Sequence, residues 1–151
     1  MNEQTKKYWD DFWAGKAAPT NVSAEQFGME GTPMADELAN LIAIGKKTAT
    51  CSAHAAYIHE GAPLPTVGSY TIILNSKDQP MCIICTTEVN IIPMNQVTEE
   101  FAAAEGEGDL SYKYWYDGHK KFFTMDLAEI GQEFSEDMLL VCEHFECIDV
   151  K

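Results

Sequence analysis

The clearest hydrophobic pattern lies between residues 32 and 45, in TPMADELANLIAIG. Its apolar residues recur at intervals of three and four, the spacing of one helix face: Met34, Leu38, Leu41 and Ile42. Thr32 is a favourable N-cap, and Gly45 is a natural C-terminal stop. The pattern predicts an amphipathic helix that ends just before a pair of lysines.

Four other stretches are rich in β-branched and apolar residues and predict strands: KTATCSA (47–53), SYTIILN (69–75), MCIICTTEVNII (81–92) and MLLVCEHFECIDV (138–150). The polar SKDQP between the second and third makes these two a hairpin. Further helices are predicted in 6–15, 95–106 and 111–131, while 14–31 and 60–68 are predicted as loops. This order predicts an α+β fold, a small curved sheet or barrel with helices packed outside.

The composition restricts the possible partners. The formal net charge of −14 over 151 residues argues against bulk double-stranded DNA and anionic membranes, which require a basic surface. It still allows a small basic pocket. No run of apolar residues reaches membrane-spanning length, and the acidic N-terminus lacks the apolar segment of a signal peptide, so a cytoplasmic location is expected. The oligomeric state is left open.

The five cysteines predict free thiols. CIIC at 82–85 has the spacing of half a zinc site, but it lies in a predicted strand, where residues three apart point to opposite faces. The chain also lacks GxGxxG, P-loop, GxSxG and HExxH motifs. No cofactor and no metal site is therefore predicted from motifs.

The segment GKKTAT contains the first candidate chemistry. Lysines at a helix C-terminus commonly interact with the negative end of the helix dipole, which is a sufficient structural explanation for Lys46 and Lys47. However, Thr48, Thr50 and Ser52 would form a row of hydroxyls on one strand face beside these ammonium groups. The segment is therefore a candidate binding or catalytic site.

A second candidate is the acidic loop at 104–111, where Glu105, Glu107 and Asp109 alternate with glycines. Like charges this close repel, unless a cation, a lysine or a shared proton compensates. The loop is compatible with a site for a hard cation such as Mg²⁺, with a general acid or base, or with a solvated loop that caps the next helix.

A third candidate is the aromatic segment that begins at Tyr112, in which four of five residues are aromatic. Such side chains can stack on bases, with neighbouring lysines meeting phosphate. Burial in the core is the alternative for Trp115. His119 lies one turn further along the predicted helix and is a candidate without an evident partner.

Several of these segments resemble the longer bacterial proteins of the ASCH-domain family. The resemblance runs in order over about residues 9–148 and rests on ADELANLIAIGKKTATCS, PLPTVGSYTIIL, CIICTTEV, FAAAEGEGDLSYKYW, HKKFF and FSEDMLLVCEHFE. It implies a PUA-like mixed or antiparallel β-barrel flanked by helices, with a cleft suited to RNA or a modified nucleoside. It also implies one ASCH domain over 1–151, in which 1–31 are an N-terminal helix and loop extension.

A shorter branch of this family contains amidohydrolases that deacetylate N4-acetylcytidine. The resemblance carries their lysine onto Lys47, their threonine onto Thr50 and their carboxylate onto Glu105. In that chemistry Thr50 is the nucleophile, Lys47 takes its proton if burial lowers the lysine pKa, and Glu105 protonates the leaving amine or positions water. We expect substrate contacts from Lys46, Thr48, Ser52, Glu107, Asp109, Tyr112, Trp115 and His119.

On a regular strand, Lys47 and Thr50 would point to opposite faces, so this assignment requires an irregular backbone after Gly45. Two alternatives remain open. One is a non-catalytic RNA-binding module in which Lys46 and Lys47 meet phosphate. The other is a metal-assisted ribonuclease that uses Glu105, Glu107 and Asp109.

Overall fold

A computed structural model describes residues 1–151. Its helices and strands are, in chain order, α1 (Glu3–Trp13), β1 (Val22–Glu25), α2 (Pro33–Ala43), β2 (Ala49–Ala53), α3 (His54–Glu60), β3 (Tyr70–Leu74), β4 (Pro80–Pro93), α4 (Glu99–Ala104), α5 (Tyr112–Glu129) and β5 (Leu139–Val150). A single 3₁₀ turn, Met94–Gln96, connects β4 to α4. The predicted α+β class is confirmed. No helix combines the length and apolar character that crossing a bilayer requires.

The five strands form one mixed sheet in the order β1-β3-β4-β5-β2. β1 runs parallel to β3, whereas the other neighbouring pairs are antiparallel. The two edge strands, β1 and β2, do not pair with each other, so the sheet is open and the predicted barrel closure is not seen. The long central strands β4 and β5 pair through register shifts near Ile83 and Thr86, which bend the sheet.

The N-terminal region differs from the predicted helix and loop extension. The helix is present as α1, which packs Tyr8 and Trp9 into the core. The predicted loop at 14–31 contains β1, which adds to the sheet edge beside β3. The prediction was wrong here because the four residues VSAE have little strand pattern and depend on pairing with a distant strand.

The predicted amphipathic helix is confirmed as α2, with Leu38 and Ile42 buried. Thr32 is its N-cap by position, but its hydroxyl donates to the Met29 carbonyl and does not cap the helix. Gly45 follows with φ of +80°. The left-handed backbone at this glycine ends the helix and redirects the chain toward β2.

The other predicted elements are also present, with one addition. The hairpin forms from β3 and β4, Thr98 caps α4, and Ser111 caps α5. The short helix α3 directly after β2 was not predicted. All five cysteines are free thiols, as expected. The largest buried cluster packs α4 and α5 against one end of the sheet, and this packing brings the loop between the two helices beside β2.

Candidate active site

The chain between α2 and β2 buries the side chain of Lys47. The Lys46 and Lys47 backbone amides both donate to the Leu41 carbonyl at 3.0 Å, and the Thr48 amide donates to the Ala104 carbonyl at 2.8 Å. The backbone is therefore irregular after Gly45, as the predicted site required. Lys47 points inward with 1% of its side chain exposed, whereas Lys46 is exposed.

Gly106 allows the loop after α4 to approach this segment closely. Its φ is +72°, and a Cβ there would lie 2.8 Å from the Lys47 Cα and closer still to the Lys46 carbonyl oxygen. Real Cβ atoms do not show such contacts, so no other residue fits without moving one of the two segments. The close approach places the Glu105 side chain against Lys47, although the two residues are 58 positions apart.

The Lys47 ammonium has an acceptor for each of its three protons. Its Nζ lies 3.0 Å from Glu105 Oε1, 3.4 Å from the Glu105 carbonyl oxygen and 3.4 Å from Glu107 Oε2. Burial disfavours the charged amine, but the two carboxylates outweigh it and raise the pKa of Lys47. Lys47 is therefore a fixed cation, and the predicted role of a proton-accepting amine does not fit its surroundings.

The Glu105 carboxylate accepts four hydrogen bonds. Oε1 accepts from Lys47, and Oε2 accepts from Trp115 Nε1, His119 Nε2 (3.1 Å) and Cys51 Sγ (3.3 Å). Burial alone would raise the pKa of this carboxyl, but Lys47 and His119 lower it to about 2. Glu105 is therefore ionised at neutral pH and is not suited to donate a proton to a leaving amine.

His119 is the second basic side chain of the cluster. Its Nδ1 lies 2.7 Å from the Trp115 carbonyl oxygen, and its Nε2 faces Glu105. Both neighbours are acceptors only, so both ring nitrogens carry protons when both bonds form. Burial opposes this charge, but the Glu105 carboxylate raises the pKa of His119. The ring also stacks on Trp115 with centroids 4.7 Å apart, which fixes its orientation.

The cluster forms part of the wall of a cavity of about 840 Å³. This volume falls within the usual range for small-molecule sites. Both edge strands of the open sheet contribute to the walls, β1 through Val22, Ser23 and Glu25 and β2 through Thr50, Cys51 and Ser52. The cavity therefore spans the gap between β1 and β2 that a closed barrel would lack.

Seven of the predicted site residues line this cavity: Lys47, Thr50, Ser52, Glu105, Glu107, Trp115 and His119. Lys47 and Thr50 thus face one space. The Ser52 hydroxyl lies 2.8 Å from the Tyr57 hydroxyl.

The other four predicted residues lie outside the cavity wall. Lys46 and Thr48 are exposed. Asp109 is exposed and accepts from the Ser111 amide, so the acidic loop serves partly to start α5. Tyr112 packs against Trp115 and Tyr116.

Most of the cavity wall was not predicted as functional, and it includes four residues with polar side chains that bear on the chemistry: Glu25, Cys51, Tyr57 and Glu143. The sequence could have identified Cys51 as a site residue, because it lies between the candidate residues Thr50 and Ser52. Its pKa is raised by burial and by Glu105, so it remains a thiol. The other three depend on strand register and on the placement of α3, which the sequence pattern does not reveal.

One group of potential metal ligands is present, formed by Cys51, Glu105 and His119, whose donor atoms lie within 4.8 Å of one another. The atoms of this group that would bind a metal already take part in hydrogen bonds within the protein. The Glu105 oxygen that would ligate an ion accepts the Trp115 indole proton, and both nitrogens of His119 face acceptors. The predicted triad of Glu105, Glu107 and Asp109 does not form a cluster of metal-binding dimensions.

The fold and the cavity define an α+β domain with a ligand-sized site between the edges of an open sheet. The ASCH domain family model matches residues 23–149, and the chain belongs to this family. None of the curated proteins matches the chain significantly.

Two solved structures are similar over nearly the whole chain. The ASCH domain of Lactobacillus crispatus JV V101 is 38% identical, with 97% of this chain and 95% of that chain covered and a TM-score of 0.91. A protein of Enterococcus faecalis V583 is 41% identical, with 99% and 91% covered and a TM-score of 0.87. An ASCH protein of Zymomonas mobilis is 13% identical over 83% of this chain and 65% of that one, with a TM-score of 0.50, and shows a likeness of fold alone.

Proposed function

We propose that the protein hydrolyses an amide on a modified nucleoside, with N4-acetylcytidine as the representative substrate. The observation that carries this proposal is that Thr50 and the buried Lys47–Glu105 ion pair line one cavity. A hydroxyl nucleophile and a fixed cation on the walls of one cavity are groups that acyl transfer uses.

In the proposed reaction, the Thr50 hydroxyl attacks the acetyl carbonyl carbon. The carbonyl oxygen then becomes negative, and the charge of the Lys47 ammonium stabilises it through space, because the ammonium protons are directed to Glu105 and Glu107. Because Lys47 is buried and permanently charged, its electrostatic effect is stronger than in water and needs no reorganisation during the reaction. Glu105 acts as a positioning residue that keeps Lys47, Trp115 and His119 in place.

The two alternative functions receive less support from the geometry. An RNA-binding module would need a basic face for phosphate, but the cavity wall has a single lysine, Lys47, among several carboxyl groups that include Glu25, Glu60 and Glu143. A metal-assisted ribonuclease would need Glu105, Glu107 and Asp109 to converge, but Glu105 is committed to Lys47 while Asp109 faces solvent.

The experiment measures release of cytidine from N4-acetylcytidine by chromatography, for wild-type protein and two matched variants. Thr50→Val removes the hydroxyl with almost no change of shape, and turnover should fall by at least about 1,000-fold. Thr48→Val is the control, because this hydroxyl is exposed and lies outside the cavity wall. Its turnover should equal that of the wild type.

Three results would overturn the proposal. The first is an inactive wild-type protein, and the second is equal activity in the two threonine variants. The third is salt-sensitive binding of single-stranded RNA without turnover of any amide, which would favour the binding module. Turnover of RNA that is lost with a chelator would favour the ribonuclease.

A further inference from the structure

The proposed reaction needs a group that takes the proton of Thr50, and neither charged residue of the pair fits that task. Lys47 stays protonated and Glu105 stays ionised at neutral pH, because each stabilises the charge of the other. A general base works best when its pKa lies near the working pH. The base must therefore come from another part of the cavity.

The geometry points to Glu143 as the general base for Thr50, an inference that rests on the proposed function. Glu143 lies on β5 directly opposite Thr50 on β2 in an antiparallel pair. Residues in this relation share a sheet face, with Cβ atoms about 4.5–5.5 Å apart. Both side chains also line the cavity. Glu143 is thus the carboxyl that strand register sets beside the proposed nucleophile.

The surroundings of Glu143 contain hydroxyls and carboxylates but no paired cation. Thr86 on β4 offers a hydroxyl to Oε1 at 3.4 Å. Glu25 faces it from β1, and α3 contributes Tyr57 and Glu60 to the same cavity wall. The adjacent His144 contacts Glu88, with Nε2 3.9 Å from the carboxylate, and packs on Phe101.

This environment disfavours the ionised form of Glu143. Burial and the Glu25 carboxylate outweigh the Thr86 hydroxyl and raise the pKa of Glu143 to about 7. Near neutral pH the carboxyl therefore exchanges protons readily, in contrast to Lys47 and Glu105. The raised pKa of Glu143 and its position opposite Thr50 therefore both suit a general base.

The proton transfers then balance over the two halves of the reaction. Glu143 accepts the Thr50 proton while Oγ1 bonds to the acetyl carbon, and the carbonyl electron pair moves to the oxygen. When the carbon–nitrogen bond breaks, Glu143 returns the proton to the cytosine amine and an acetyl ester remains on Thr50. Glu143 next takes a proton from water, which attacks the ester; acetate leaves and Thr50 regains its proton.

The test compares wild type, Glu143→Gln and Glu25→Gln in N4-acetylcytidine hydrolysis, with Glu146→Gln as the control. Glu146 lies on the same strand but is exposed and outside the cavity wall. Glu143→Gln should lower kcat by about 100- to 10,000-fold, the usual contribution of a general base. Glu146→Gln should match the wild type.

The pH profile provides the second measurement. Wild-type kcat/KM should rise with pH through a midpoint near the pKa of Glu143, about 7. Glu25→Gln removes a like charge and should move that midpoint to lower pH. Thermal unfolding checks that Glu143→Gln is folded. We expect it to be more stable than wild type at pH 8, because it removes a buried carboxylate without a cation.

The possible failures are distinguishable. An inactive wild-type protein overturns the proposed function and the base assignment together. Wild-type activity that requires Thr50 but survives Glu143→Gln overturns only the assignment. A midpoint that does not move in Glu25→Gln also overturns it.

Discussion

Breaking the buried ion pair of Lys47 and Glu105 should destabilise the protein strongly. Glu105→Gln keeps the size of the side chain but removes the negative charge. Lys47 then lies in the interior, with 1% of its side chain exposed and Glu107 at 3.4 Å as its remaining carboxylate partner. The Gln amide also brings donor hydrogens into a site where Lys47, Trp115 and His119 all donate.

The expected cost follows from the burial of the pair. Breaking a buried ion pair on one side costs roughly 3–5 kcal/mol, and Lys47 here loses its buried partner while the more exposed Glu107 compensates its charge only in part. That is a large part of the roughly 5–15 kcal/mol that stabilises a typical domain. At about 2–4 °C per kcal/mol for a chain of this size, the midpoint of thermal unfolding should fall by roughly 6–20 °C.

Urea unfolding followed by tryptophan fluorescence measures this loss, and two further variants provide the controls. Lys113→Met breaks the exposed Lys113–Asp117 pair, whose side chains are 84% and 60% exposed, and should leave the stability nearly unchanged because solvent screens this pair. Adding Lys47→Met to Glu105→Gln removes the cation that has lost its buried partner and should restore part of the lost stability. A Glu105→Gln variant within about 1 kcal/mol of the wild type, or a double variant that regains no stability, would refute this role of the ion pair.

Two further predictions concern acid stability and the loop glycine. The folded pKa of Glu105, about 2, lies below its ordinary value of 4.5, so the stabilisation is complete above pH 4.5 and is lost as the pH falls toward 2. This loss amounts to roughly 3 kcal/mol and should appear in urea unfolding as a steeper acid decline in wild type than in Glu105→Gln. Gly106→Ala should destabilise the protein by at least about 1–3 kcal/mol, because the loop must move away from Lys46 and Lys47. Gly118→Ala, at a helical position with no atom near the added Cβ, should instead stabilise by up to about 1 kcal/mol, and equal effects would contradict the packing argument.

Local signals predicted much of the fold. The stripe that includes Leu38 and Ile42, the stop at Gly45 and the polar turn of the hairpin act within a few residues of one another, so the sequence reveals them directly. β1 and α3 were not predicted because their stability depends on distant neighbours. β1, for example, pairs with β3, and its four residues carry no strand signal of their own.

The same distinction applies to the candidate site. The position of Lys47 at the end of a predicted helix was sufficiently explained by its interaction with the helix dipole. Only the resemblance to ASCH proteins placed Lys47 in one site with Thr50 and Glu105. The contact between Lys47 and Glu105 depends on the approach of Gly106 to the Lys46 carbonyl, which is a tertiary feature. Glu143 was overlooked because its position opposite Thr50 is a matter of strand register.

The cavity separates its carboxyl groups into two electrostatic environments. Glu105 lies against the Lys47 ammonium and His119 and stays ionised, while burial and the Glu25 carboxylate raise the pKa of Glu143 to about 7. Sites that use two carboxyls for different tasks hold their pKa values apart in this way. A chain with a net charge of −14 can bury such a cluster because Lys47 contacts both Glu105 and Glu107, and His119 faces Glu105. Burial and the nearby Glu25 carboxylate, neither offset by a cation, raise the pKa of Glu143 and make its carboxylate a better proton acceptor.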